Sequence, residues 1–237
     1  MLKLGLSLLF SLNAWGSDVF HFPPGDPRSG LLSEERMQAV TNSFIIHSWV
    51  RYTPASGPYL NPKFDWSMPY FMAGSQLDNN LFTIHLSGAI ARLPGINELG
   101  LAFVLCHELA HYYGGEPKQQ KHAEWASLEG QSDYWGAGTC MKEWLTRDSA
   151  LFSQIELHPI ALKLCRDEEV CAQVMSGGEV FFRVSAPWIG GKIPSLDKRD
   201  SQMVTQTNQF YPNEQCRLDT IKAAALDKKR PRCWYKD

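Results

Sequence analysis

The sequence predicts an α+β fold that is mostly helical, and three observations lead to this class. Apolar residues recur at helical spacing within 33–52, and the nearly all-apolar run 99–113 is too long for a strand. One short segment, 81–86, has the β-branched and aromatic composition of a strand. Because no repeat, low-complexity tract or linker divides the chain, we expect one domain that contains several helices and a small sheet.

The first residues indicate an export signal. Lys3 gives a positive start, residues 4–12 form an apolar run too short to span a bilayer as a mature helix, and 14–16 form an A-x-G-like cleavage site. We therefore expect a signal peptide over 1–16 and a mature domain over 17–237, with an uncleaved anchor as the alternative. No later run approaches the length of a spanning helix, so the mature chain should have no stable membrane span and should be periplasmic or secreted.

Composition agrees with an exported protein of 237 residues. The net charge of −2 shows no basic excess, so we expect no nucleic-acid partner. Six cysteines, an even number, fit an oxidising compartment. Several pairings are formally possible. Cys165 and Cys171 are close in sequence, and Cys216 and Cys233 bracket the last helical stretch, so we suggest these two pairs. Cys106 and Cys140 remain and would form the third pair.

The segments before the central motif have simple interpretations. Residues 33–52 should form a helix with Ser33 as its N-cap. Residues 53–67 are rich in proline and aromatic side chains and should form a loop. Residues 81–86 should form a strand, and 87–93 a short helical connection that leads into the next helix.

The run 99–113 contains the motif His107-Glu108-Leu-Ala-His111, with Asn97 as the expected N-cap. Two histidines four residues apart project from one face of a helix and can bind a single Zn²⁺, while Glu108 between them can act as a general base. A charged cluster inside an apolar helix is unfavourable unless something compensates for its burial. A bound metal is the natural compensation.

A third protein ligand is expected downstream of this helix. Pro117 stands where the metzincin pattern H-E-x-x-H-x-x-G-x-x-H requires its last histidine, which excludes that class. Glu129 is followed one helical turn later by Asp133, whose carboxylate could accept the remaining N–H of a ligating histidine. Glu129 is therefore the predicted third ligand, and Glu124 is the alternative.

The later segments are mostly helical by their pattern. A second helix should run from about 121 to 145 and carry Glu129. Residues 149–175 should be helical with polar interruptions, 188–200 should form a loop, and 214–226 should form a last helix.

The motifs H-E-x-x-H and E-x-x-x-D together resemble those of gluzincin metallopeptidases. The surrounding sequence is most similar to the family that contains the CAAX prenyl endopeptidases and the HtpX-type proteases. Residues 81–86 resemble the edge strand of that family, and 128–136 resemble its E-x-x-x-D helix. Tyr211-Pro212 with Arg217 matches the late H-P-x-x-x-x-R element, except that tyrosine replaces histidine.

This resemblance extends over about residues 79–219. It implies a zincin-like fold with an active-site helix, a third-ligand helix and a small edge-strand sheet. It also leaves a second H-P pair to consider, His158-Pro159, which lacks an arginine at the expected spacing. We interpret that pair as a helix boundary.

Motifs and resemblance together predict a zinc-dependent endopeptidase that hydrolyses peptide or protein substrates and binds one Zn²⁺ per chain. In this interpretation the metal activates water, and Glu108 transfers its proton. Tyr211 would donate a hydrogen bond to the oxyanion, and Arg217 would reach back to the site. The predicted site consists of the metal ligands His107, His111 and Glu129, the supporting Asp133, and the catalytic residues Glu108, Tyr211 and Arg217.

Two other classes of protein fit parts of the sequence. The first is a catalytically weak or inactive zinc-site protein that binds peptides or a partner, although the intact Glu108 argues against it. The second is a disulfide-stapled binding domain without a metal. Zinc content, measured together with digestion of an unfolded protein, distinguishes the three classes.

Overall fold

The computed structural model describes residues 7–8, 21–52, 58–121 and 123–237. The predicted signal peptide 1–16 and its cleavage site therefore lie outside the described residues, apart from Ser7–Leu8, and stay a prediction. Among the residues that are described, no helix has both the length and the apolar character needed to cross a bilayer.

The described strands form one small sheet. Its strands are β1 (Ser7–Leu8), β2 (Tyr59–Asp65), β3 (Ala73–Asp78) and β4 (Leu81–Ser87), in the spatial order β1-β3-β4-β2. Strand β4 runs parallel to β2 and antiparallel to β3. The turn between β3 and β4 contains Asn79 and Asn80 at φ of 45° and 65°, and asparagine tolerates this left-handed conformation.

The sheet confirms one prediction and corrects two. The strand expected at 81–86 is present as β4, but it lies inside the sheet, so the expectation of an edge strand there was wrong. Of the loop expected over 53–67, residues 53–57 lie outside the described residues; the rest contains β2, because residues 59–65 pair with β4 along their whole length. Strand β3 was not predicted, since its sequence Ala-Gly-Ser-Gln-Leu-Asp lacks β-branched and aromatic residues.

Helices make up most of the remaining regular structure. They are α1 (Glu34–Tyr52), α2 (Gly88–Ala91), α3 (Glu98–Tyr113), α4 (Glu129–Trp135), a π-helical segment (Gly136–Met141), α5 (Lys142–Arg147), α6 (Ser149–Phe152), α7 (Pro159–Cys165), α8 (Glu169–Ser185) and α9 (Glu214–Ala225). The predicted class, α+β with more helix than strand, is confirmed. Both predicted caps are also present: the Ser33 hydroxyl accepts from the Arg36 amide at 3.2 Å, and Asn97 Oδ1 accepts from the Gly100 amide at 3.0 Å.

Two predicted helices have different bounds in the structure. The helix expected from about 121 begins only at Glu129, because the preceding loop is held in place by backbone hydrogen bonds from Ser127 to His111 and from Leu128 to Pro117. The helical stretch expected over 149–175 is divided into α6, α7 and α8. A proline in the first turn of α7 starts a new helix there.

Helix α3 runs through the centre of the core. Every residue from Leu99 to His111 is buried, and α3 packs against α1, α4, α8 and the π-helical segment. A glycine allows the closest approach: a Cβ on Gly177 of α8 would lie 2.6 Å from the Leu99 carbonyl oxygen. The His-Glu-His motif therefore lies in a buried helix, as predicted.

All three suggested disulfides are confirmed. Cys106–Cys140 joins α3 to the π-helical segment, Cys165–Cys171 joins the end of α7 to α8, and Cys216–Cys233 ties α9 to the C-terminal segment. The first of these bridges anchors α3 directly beside His107.

Candidate metal centre

Three side chains of α3 form a buried cluster. His107, Glu108 and His111 are each at most 2% exposed, and each contributes a potential ligand atom within 4.8 Å of the others. The two imidazole rings lie 4.8 Å apart, as expected for residues separated by one helical turn. This group of residues can hold a metal ion.

Glu129 completes the cluster from the first turn of α4. Its Oε2 lies 3.3 Å from His107 Nε2, and its Oε1 lies 3.7 Å from His111 Nε2. The loop before α4 sets this position, because the Ser127 amide bonds the His111 carbonyl at 2.7 Å. Glu124, the alternative ligand, is an exposed residue of that loop.

The outer nitrogen of each histidine is fixed by an acceptor. His107 Nδ1 lies 2.8 Å from Asp133 Oδ1, and His111 Nδ1 lies 3.0 Å from the Ser127 carbonyl oxygen. Since these oxygens can only accept, both rings carry a proton on Nδ1 and direct Nε2 into the cluster. Ser132 also contacts His111 Nδ1 at 3.0 Å, a contact that the sequence motifs did not indicate.

The atoms that face the centre lack other partners. Within the described ranges, both histidine Nε2 atoms, Glu129 Oε2 and both carboxylate oxygens of Glu108 have no hydrogen-bond partner. Buried polar atoms are normally satisfied, so five such atoms in one place indicate a bound group. Two imidazole nitrogens and a carboxylate are donors that suit a divalent metal.

Arg217 connects α9 to this centre. Its Nε and Nη2 bond the two Asp133 oxygens at 2.7 and 2.8 Å, and Nη2 also lies 3.5 Å from Glu129 Oε2. The guanidinium carbon lies 4.9 Å from the centre of the Phe182 ring, which covers it. The structure thus brings Arg217 next to Asp133, where it holds the carboxylate that orients His107.

Tyr211 stands at the rim of the centre. Its hydroxyl hydrogen-bonds the Glu129 carboxylate, while the residue remains 47% exposed. Burial of the hydroxyl and the negative charge of Glu129 raise the Tyr211 pKa, so the phenol keeps its proton. His158, the other H-P residue, caps α7 through a 3.2 Å bond to the Ile160 amide and is not part of the cluster.

The electrostatics of the cluster favour a cation between the carboxylates. Burial acts against a charge on His107, but hydrogen bonds to Asp133 and Glu129 outweigh it and raise its pKa to about 9. A metal ion bound to Nε2 would take the place of the second ring proton that this raised pKa favours. Burial alone would raise the pKa of Glu129, yet the charges of His111, His107 and Arg217 lower it to about 2. Glu129 and Asp133 therefore remain anionic and stabilise positive charge at the centre.

The pKa of Glu108 is shifted in the opposite direction from that of Glu129. Burial raises its pKa to about 8, and the negative charge of Glu129 adds to this effect. A carboxylate whose pKa lies near neutrality can both accept and return a proton at physiological pH.

Comparison of the chain with models of known protein families, with curated proteins and with solved structures gives no match. The interpretation of the centre therefore depends on its own geometry and on the motifs of the sequence.

The buried arginine provides a test of how the centre is held together. Arg217→Ala would leave the carboxylates of Asp133 and Glu129 buried without their cation, so we expect a loss of about 3–5 kcal/mol in the free energy of unfolding. Urea denaturation of both proteins measures this loss. The control is Arg51→Ala, since the side chains of Arg51 and of its partner Glu143 are 59% and 33% exposed. That change should shift stability by less than about 1 kcal/mol, and an equal effect of both variants would contradict the prediction.

Proposed function

We propose that this protein is a zinc-dependent endopeptidase of zincin-like fold, with His107, His111 and Glu129 as the metal ligands. The observation that carries the proposal is the convergence of two histidine Nε2 atoms and a carboxylate, all buried, beside a second carboxylate on the same helix. The buried motif helix and the sheet beside it are consistent with this fold class.

The donor set supports zinc in particular. Two neutral imidazoles and one carboxylate, with acceptors fixing both Nδ1 atoms, are typical of catalytic zinc sites. A zinc ion bound here would polarise a peptide carbonyl and lower the pKa of a water molecule towards 7.

Glu108 is suited to the role of general base. Its two oxygens are buried, have no hydrogen-bond partner of normal geometry among the described residues, and lie beside the histidine pair. Glu108 would accept the proton of the attacking water and later return it to the leaving amine of the cleaved peptide.

Tyr211 and Arg217 have supporting roles in the proposed reaction. The Tyr211 phenol keeps its proton and can turn from Glu129 to donate a hydrogen bond to the oxyanion that forms on the substrate. Arg217 touches no substrate in this proposal, because its guanidinium is engaged by Asp133. It acts by holding His107 and Glu129 in place.

The disulfides support the proposal that the protein is exported. Three bridges among the described residues are typical of an oxidising compartment, which supports export to the periplasm or outside the cell. A peptide or an unfolded protein is the proposed substrate, and no nucleic acid is required.

The ligand assignment is tested by changing Glu129. Glu129→Ala removes one of three ligands and should strip or strongly weaken zinc, measured as metal content of the purified protein after dialysis. Glu124→Ala is the matched control, because this glutamate lies in the exposed loop before α4. Full zinc occupancy in Glu129→Ala together with loss in Glu124→Ala would show that the assignment is wrong.

The proposed activity is tested by Glu108→Gln. The amide keeps the size of the side chain but cannot accept a proton, so hydrolysis of an unfolded protein should cease while zinc content and folding remain normal. Undiminished turnover in this variant would exclude Glu108 as the base. A zinc-loaded wild-type protein that cleaves no substrate and binds peptides instead would support the inactive, peptide-binding alternative.

The role of Tyr211 is tested by Tyr211→Phe. Loss of one oxyanion donor should lower kcat by about 10- to 1000-fold with little change in zinc binding. His158→Ala is the control, because His158 caps α7 and should affect stability without affecting kcat. Normal kinetics in Tyr211→Phe, together with loss of kcat in a stable His158→Ala protein, would show that His158-Pro159, and not Tyr211-Pro212, contributes to catalysis.

A further inference from the structure

Ser75 occupies an unusual position in the sheet. Side chains alternate along β3, so Ala73, Ser75 and Leu77 share one face. Ser75 is 3% exposed and lies opposite the buried Ile84 of β4. A hydroxyl group therefore stands on the apolar face of the sheet, where the pattern favours an apolar residue.

The hydroxyl of Ser75 has no hydrogen-bond partner of normal geometry in the described part of the chain. Three other serine hydroxyls share this property: Ser48 and Ser185 lie in helices, and Ser29 lies in a loop and is only partly buried as a residue. A helical serine can turn its hydroxyl to the carbonyl four residues earlier, whereas a strand offers Ser75 no such local acceptor. An unsatisfied hydroxyl in a strand destabilises the fold and needs another explanation.

The polar group that interacts with Ser75 is the carboxyl of Glu108. The Ser75 hydroxyl faces this carboxyl across the space between β3 and α3, and both oxygens of Glu108 also lack a partner of normal geometry. The metal ligands account for the other unsatisfied atoms of the centre. Ser75 and Glu108 remain as a donor and an acceptor that are complementary.

We propose that Ser75 is a positioning residue for Glu108, on the basis of the function proposed above. Its hydroxyl donates a hydrogen bond to one oxygen of the Glu108 carboxylate and thereby keeps the other oxygen directed at the metal centre. Because both Glu108 oxygens lack a hydrogen-bond partner of normal geometry among the described residues, this bond selects the productive orientation of the carboxylate. A proton-transfer group must be held close to its productive geometry, and small displacements reduce the rate strongly.

The first test is kinetic, with a fluorogenic peptide that the wild-type protein cleaves. Ser75→Ala should lower kcat by about 10- to 100-fold, while KM, zinc content and melting temperature stay near the wild-type values. Ser75→Thr keeps the hydroxyl and should retain most of the activity. Ser48→Ala is the matched control, since it removes a buried, unpartnered hydroxyl from α1 and should leave kcat unchanged.

Several results would overturn the proposal. The first is a kcat of Ser75→Ala within about twofold of the wild-type value. The second is a loss of kcat in Ser75→Ala that lost zinc explains. The third is a folded, zinc-loaded Ser75→Thr protein that is as slow as Ser75→Ala. If the role of Ser75 were purely structural, Ser75→Ala would lower the melting temperature, and its kcat would stay close to that of the Ser48→Ala control.

The second test does not depend on turnover. Crystal structures of the zinc-loaded wild type and of Ser75→Ala should show the Glu108 carboxylate bonded to Ser75 in the first and rotated or in two orientations in the second. An identical Glu108 orientation in both structures would refute the positioning role. If the wild-type protein cleaves no peptide, the proposed peptidase function fails, and this structural comparison still decides whether Ser75 orients Glu108.

Discussion

The buried contact of Asp133 with Arg217 and His107 is the interaction on which the rest of the centre depends. Asp133 is fully buried, and its two oxygens bond His107 Nδ1 and the guanidinium of Arg217. One carboxylate therefore joins α3, α4 and α9. Burying such charges is unfavourable unless each is paired and hydrogen-bonded, and here the three groups satisfy one another. The orientation of His107 follows directly from this pairing.

The surrounding fold holds α3 in place and buries its motif. Helix α8 approaches α3 closely at Gly177, and the bridge from Cys106 to Cys140 anchors α3 beside His107. Burial then has two opposite effects on the carboxylates of the centre. It raises the pKa of Glu108, which has no cation bonded to it, whereas the pKa of Glu129 is lowered because cationic groups outweigh the burial. Two carboxylates close to each other thus acquire the different characters that a base and a ligand need.

Local sequence signals were sufficient where a short stretch of chain decides its own structure. Ser33 and Asn97 cap the helices that they were expected to cap, because a capping bond reaches only three residues along the chain. Strand β3 and the loop before Glu129 were not foreseen. Strand β3 is held by pairing with β4, and the loop is held by bonds to His111 and Pro117, so neither has a strong local signature.

By itself, the sequence determined the motif helix, the pair of histidines on one of its faces, and Glu129 with Asp133 one turn apart. These features depend on helical periodicity, which is a property of neighbouring residues. Only the tertiary structure decided that Arg217 pairs with Asp133, that Tyr211 meets Glu129, and that Ser75 faces Glu108. Those contacts join residues far apart in the chain, and their geometry arises from the packing of α9 and β3 against the motif helix and α4, which no local pattern encodes.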